Sequence, residues 1–200
     1  MEVVIRQHER QCGVTAADII ADAVTSGATT LGLATGSSPL SVYRELIRRH
    51  RKDELTFAGV QAFLLDEYVG LPPSHPQSYA RVIHAEFINH VDIDSGRVGV
   101  PNGIAEDIFA AARAYDALIA DAGPIDVQLL GIGANGHIGF NEPGSSLGSR
   151  TRSRPSPNRR DATTPGFSPG STRCPATSSP RDSEPSARHG TSCSSQPAAL

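Results

Sequence analysis

Residues 29–39 read Thr-Thr-Leu-Gly-Leu-Ala-Thr-Gly-Ser-Ser-Pro, and this stretch decides the fold. Thr29–Thr35 has the make-up of a buried strand, and it runs at once into the small turn residues Gly36, Ser37 and Ser38. From Leu40 to about His50 the apolar spacing is that of an amphipathic helix, for which Ser38 is a good N-cap and Pro39 a fitting first residue. A buried strand that turns directly into a helix is the opening of a βαβ unit.

The same alternation continues outward. Upstream, Glu2–Arg6 reads as a short β-branched strand, and Thr15–Ser26 as a helix stopped by Gly27. Downstream, strands are expected over Val60–Glu67, Arg97–Pro101 and Ile125–Gly133, with helices over Gln77–His90 and Glu106–Ala122. Strands that read as continuous apolar runs, each followed by a helix, predict a doubly wound, mostly parallel α/β sheet of Rossmann-like kind. Ligands of such sheets bind beyond the carboxyl ends of the strands. Three strand ends carry suggestive loops: Thr35–Ser38, Asp66–Tyr68 and Gly133–Pro143.

Composition narrows the function classes. The chain has 200 residues, net charge −3 and a pI of about 6.1, which gives no reason to expect a nucleic-acid partner. No apolar run approaches the roughly 18 residues of a membrane span. The start, MEVVIRQHERQ, is too charged for a signal peptide. Three cysteines, Cys12, Cys174 and Cys193, suggest no disulfide framework, so a reducing cytoplasm is expected.

Each loop has its own chemistry. Thr35, Gly36, Ser37 and Ser38 offer hydroxyls and free backbone N–H groups at a helix start, an anion site in kind, although helix capping alone also explains Ser38 and Pro39. Asp66 and Glu67 are neighbours on a strand and so point to opposite faces. One could face the crevice as a base while the other makes a structural bond. In residues 131–143, Gly131, Gly133 and Gly136 fit a dinucleotide fingerprint, but Gly139, Pro143 and Gly144 break the helix it requires, and no acid lies about 20 positions on. What remains is His137, the usual proton carrier near neutral pH, with Asn135 two residues before and Glu142 five after. Either could fix its tautomer. No spacing supports a metal site.

These loops also resemble a known family. The strings L-A-T-G-S-S-P, L-D-E-Y-V-G-L-P-x-x-H-P-x-S-Y and G-H-I-G-F-N-E-P-G-S-S-L-x-S-R-T-R are similar to those of glucosamine-6-phosphate deaminases, over about residues 1–152. 6-Phosphogluconolactonases share the fold and a G-H motif, but F-N-E-P points to the deaminases. The resemblance implies that Thr35, Gly36, Ser37 and Ser38 cradle a sugar phosphate, with Glu67 beside them on the substrate. It implies that Asp66 moves a proton between C2 and C1, and that His137, supported by Asn135 and Glu142, opens the sugar ring. Ser145 and Arg152 match positions of an allosteric site in some members. No cofactor or metal is implied; a homo-oligomer occurs in the family. Many members carry Asp where this chain has Asn135; an amide keeps the acceptor and loses the charge, which makes His137 a weaker base. A non-catalytic phosphosugar-binding module, a galactosamine-6-phosphate isomerase or a lactone-acting relative is the alternative.

Residues 153–200 differ from the rest. They are rich in Ser, Pro, Arg and Thr, with Leu200 the one large aliphatic, and are expected to form a disordered tail. Codons for Ser153–Phe167 exist that, read one nucleotide earlier, give IKTLTEQTRRDNARF, which is how the family continues. A reading-frame shift just after Arg152 is therefore expected, leaving the α/β domain of residues 1–152 partial, its sheet incomplete on the C-terminal side and its turnover low.

Overall fold

The computed structural model describes residues 2–146, 148–155 and 191–194. Its centre is a parallel sheet of four strands in the order β4-β2-β1-β5, formed by β1 (Thr30–Leu33), β2 (Gln61–Leu64), β4 (Val98–Gly99) and β5 (Val127–Gln128). Four helices accompany it: α1 (Glu9–Thr25), α2 (Leu40–Lys52), α3 (Tyr79–Glu86) and α4 (Ile108–Ala122). The chain steps from β1 to β2 to β4 in one direction, then crosses back through α4 to place β5 on the far side of β1. The strand order therefore reverses between β1 and β5, the place where open α/β sheets bind ligands.

The two faces separate by strand alternation. Leu31, Leu33, Ala62 and Leu64 join Ala17, Ile20, Val42, Leu46 and Phe87 in the main core, beneath α1 and α2. Phe63 points the other way and meets Tyr115 of α4 edge to face, with ring centroids 6.3 Å apart. The Tyr115 hydroxyl donates to the carbonyls of Leu64 (2.8 Å) and Gly99 (3.2 Å), tying α4 to two strand ends. Gly13 brings α1 close to α2, since a Cβ there would lie 2.6 Å from that of Ser41.

Several sequence expectations shift. Glu2–Arg6 forms no strand; Val3 and Ile5 are exposed and pair with no neighbour, so β propensity has no ladder to act on. The first helix begins at Glu9 rather than near Thr15, its amino-terminal turn carrying little apolar surface. The run Val60–Glu67 divides at Leu65 into β2 and β3 (Asp66–Val69), which belong to different sheets. Pro39 in αR conformation occupies the cap of α2 without a side-chain bond, so Ser38 lies outside the helix it was expected to cap. Of Ile125–Gly133 only Val127 and Gln128 join the ladder, because β1 is the sole described neighbour; Leu130 and Ile132 are exposed.

The second sheet is antiparallel, in the order β3-β7-β6, with β6 (Arg152–Pro155) and β7 (Thr191–Ser194). Both include residues of the segment expected to be unstructured. All four residues of β3 pair with β7, and because strand pairing uses backbone groups it accepts an extended chain regardless of its side chains. The remainder of that expectation, residues 156–190 and 195–200, lies outside the described residues.

Candidate active site

The three loops meet at the β1–β5 switch. Tyr43 of α2 fixes the end of β1: its buried hydroxyl donates to the Ala34 carbonyl (2.6 Å) and accepts from the Ala34 N–H (3.2 Å). Thr35 to Ser38 follow immediately, with Gly36 at φ +101° turning the chain outward. A Cβ on Gly131 would lie 3.5 Å from that of Ser38, so the loops after β1 and β5 touch.

Asp66 starts β3 and is buried. Burial, and secondarily the charge of Glu67, push its carboxyl up to about 7, against the pull of the Phe140 backbone N–H that donates to it. That N–H is delivered by a tight turn. Ile138 and Asn141 exchange backbone bonds of 3.0 and 2.9 Å around Gly139 and Phe140. Gly139 has φ +56°, the conformation that such two-residue turns favour at their first central position. A Cβ there would lie 2.9 Å from Asp66 Oδ2 and 2.6 Å from the Leu65 side chain. Only glycine lets the turn close on the carboxylate.

His137 stands at the other end of that turn. Its ring lies flat against Gly133, where a Cβ would come within 2.1 Å of it. Asn135 Oδ1 accepts from the His137 backbone N–H (3.1 Å) and lies 2.5 Å from ring Nδ1, while Asn135 Nδ2 donates to Glu142 Oε2 at 2.9 Å. The backbone N–H can only donate, which orients the amide with its oxygen toward the histidine. Nδ1 therefore carries the proton and Nε2 presents a lone pair. Glu142 acts one step removed: it orients Asn135, and Asn135 fixes the tautomer.

Glu67 departs from the expectation of substrate contact. Its Oε1 accepts from the N–H groups of Tyr68 (2.7 Å) and Tyr79 (3.0 Å), and its Oε2 from the Ser78 hydroxyl (2.7 Å) and the Ala80 N–H (2.9 Å). Four donors occupy the carboxylate, leaving it as the cap of α3. Ser145 and Arg152 do not meet directly: the Ser145 hydroxyl accepts from Arg154, while Arg152 donates to Asn141 Oδ1 (2.7 Å) and Ser149.

An aromatic wall went unread in the sequence. Tyr68, Tyr79 and Phe140 pack together beside Asp66, with centroids 5.0 Å apart for Tyr68–Tyr79 and Tyr68–Phe140 and 5.6 Å for the stacked Tyr79–Phe140 pair. The Tyr79 hydroxyl donates toward Tyr68 at 3.4 Å and is hydrogen-bonded by Thr35; burial, then the Asp66 charge, push its phenol up. The signal available was Ser78-Tyr79 closing the second motif. Among the described residues no cluster of three or more His, Cys, Asp or Glu side chains is placed to hold a metal.

Residues 6–151 match the model of glucosamine-6-phosphate isomerases/6-phosphogluconolactonase. The chain belongs to that family. Among its relatives, a glucosamine-6-phosphate deaminase of Rhodococcus opacus is 62% identical over 152 residues, covering 76% of this chain and 59% of the relative. One from Mycolicibacterium smegmatis is 52% identical over 153 residues with the same coverage. The chain thus spans about three-fifths of the length of the curated relatives it matches. A solved monomeric glucosamine-6-phosphate deaminase superposes with TM-score 0.81 at 35% identity, covering 98% of this chain and 76% of that one. The 6-phosphogluconolactonase of Trypanosoma brucei (TM-score 0.65, 17% identity, 96% and 75% covered) shares the fold.

Proposed function

We propose that this chain is a deaminating aldose–ketose isomerase, converting glucosamine 6-phosphate and water into fructose 6-phosphate and ammonia in the breakdown of amino sugars, with turnover lowered by the departure of residues 153–200 from the family sequence. The observation that carries this reading is Asp66, a buried carboxylate pushed up to about 7 and closed in by the turn that carries His137. A base of that strength is half ionised at neutral pH, where general acid–base catalysis works best.

The groups divide the chemistry as follows. The Thr35–Ser38 loop receives the phosphate on its N–H groups and hydroxyls. His137 Nε2 takes the proton of the C1 hydroxyl and passes it to the ring oxygen, and the ring opens to the aldehyde. Asp66 takes the C2 proton while the amino group gives a proton to O1, yielding an enolamine, and Asp66 returns its proton to C1, giving a C2 imine. Water adds to that imine and ammonia leaves, a hydrolytic step. Ser145 and Arg152 suit a regulatory sugar phosphate, Arg152 reaching the Asp66 turn through Asn141. No helix among the described residues is long and apolar enough to cross a membrane; three cysteines, an odd number that suggests no disulfide framework, favour a reducing cytoplasmic setting.

The test is a direct assay of the purified chain. Glucosamine 6-phosphate should yield ammonia and fructose 6-phosphate in equal amounts, and Asp66→Asn should lower both about 10²–10⁴-fold. Calorimetric binding of the sugar phosphate with no ammonia released would overturn the enzyme and favour a binding module.

A further inference from the structure

We infer that Glu67 is a positioning residue for Asp66: its buried carboxylate ties the amino terminus of α3 to β3 and holds a fixed negative charge beside the base. The inference rests on the reading of Asp66 as that base.

The geometry is unusual for a helix cap. The residue at the cap position, Ser78, makes no side-chain bond to its own helix. Its hydroxyl instead donates to Glu67, eleven residues earlier, and the N–H groups of Tyr79 and Ala80 do the same. Glu67 and Ser78 are both buried, so these bonds are shielded from water. All four partners are donors, and the helix amino terminus adds a favourable dipole, so the site suits an anion without any cationic partner.

What the cap holds in place surrounds Asp66. Tyr79 is the first residue of α3 and stacks on Phe140, and the Phe140 N–H donates to Asp66. The path from Asp66 through Glu67, Tyr79 and Phe140 returns to Asp66. The titratable groups facing Asp66 are Glu67 and Tyr68 on its own strand and Tyr79 on α3. The turn packed on it brings Gly139 and Phe140, which do not titrate. In β7, Ser194 and Cys193 stand opposite Asp66 and Glu67 in register.

Two variants of the full chain push the base in opposite directions. Glu67→Gln removes the neighbouring charge, so Asp66 should release its proton at lower pH. Ser78→Ala keeps the charge but withdraws one of the donors that neutralise it, so Asp66 should hold its proton to higher pH. Carboxyl-carbon NMR of aspartate-labelled protein reads the Asp66 titration directly, with Asp66→Asn assigning the signal, and needs no turnover. A disturbance of packing alone has no reason to reverse sign between the two. Shifts in the same direction, or none, overturn the inference; if Glu67→Gln does not fold, Ser78→Ala decides by itself, a rise supporting and a fall or no change refuting. Failure of the deaminase reading would appear in the ammonia assay and leave this titration standing.

Discussion

Asp66 and His137, the two proton carriers of the proposed reaction, occupy opposite environments. Asp66 is rooted in a strand, buried, and surrounded by Glu67, Tyr68, Tyr79 and Phe140. His137 sits on a glycine-rich loop, half-buried, with its ring against Gly133 and oriented by Asn135, which Glu142 in turn holds. A carboxyl must lose water to become a base near neutral pH, whereas an imidazole needs a fixed tautomer. The difference teaches that the fold spends its core on the group whose ordinary proton affinity is wrong for the proposed task, and a short loop on the group that needs orienting.

The strongest way to break the comparison is to remove the charge that burial disfavours. Asp66→Asn should lower ammonia release about 10²–10⁴-fold, the usual reach of a general base. The same change should stabilise the protein, and the sign follows from linkage. The folded carboxyl holds its proton to about pH 7 and the unfolded one to about 3.8. Between those values the folded state keeps a proton that the unfolded state releases, so wild-type stability falls as pH rises through the window and stays low above it. At about 1.4 kcal/mol per unit the asparagine variant should gain a few kcal/mol at pH 8 and almost nothing near pH 3.5. Denaturant unfolding at the two pH values measures this; equal gains at both would show that burial is not what tunes Asp66.

The next test separates the turn from the base it closes on. Gly139→Ala puts a methyl group 2.9 Å from Asp66 Oδ2 in a backbone conformation that costs an L-residue about 1–2 kcal/mol. The turn should open, lowering both stability and ammonia release, with the acid limb of the rate moving as the Phe140 N–H withdraws. Gly136→Ala, also at positive φ but with Pro143 its nearest contact at 3.8 Å, should show the backbone cost without the effect on the limb.

On the histidine side the effects should fall on rate and spare stability. Asn135→Ala frees the ring and should cost about tenfold or more in ammonia release, while thermal unfolding moves little because the loop is exposed. Asn135→Asp restores a charge beside Nδ1 and should extend the protonated form of His137 to higher pH. Histidine-labelled NMR reads that directly, and an unchanged titration would remove the explanation offered for the amide at this position.

How much of this was legible depended on whether the signal was local. The strand-to-helix turn at Thr35–Leu40 and the order of elements are written in consecutive residues, and the parallel sheet follows from them. The pairing of Asn135 with His137 was also legible, since both lie within three residues of one loop. Glu67 was not: three of its four partners lie 11 to 13 residues away, and only the folded chain shows that all four are donors. The break at Leu65 was hidden for a related reason, because an unbroken apolar run does not say where a strand leaves one sheet for another. Exposed Ile132 shows the reverse case, an apolar residue whose run promised burial that a single neighbouring strand does not supply.

The smallest effect concerns the wall that joins the two regions. Tyr79→Phe deletes one hydroxyl and leaves the stacked ring on Phe140 in place. The hydroxyl bonds Thr35 on the phosphate loop and donates weakly toward Tyr68 at 3.4 Å, so its loss should cost about 1 kcal/mol of stability. The kinetic effect should appear mainly in KM for the sugar phosphate, since Thr35 belongs to the loop proposed to receive the phosphate and Asp66 keeps both Glu67 and the Phe140 N–H. A fall in kcat of the size seen for Asp66→Asn would instead place the Tyr79 hydroxyl among the groups that move protons, and the division of labour between a buried strand and an exposed loop would have to include a third carrier on α3.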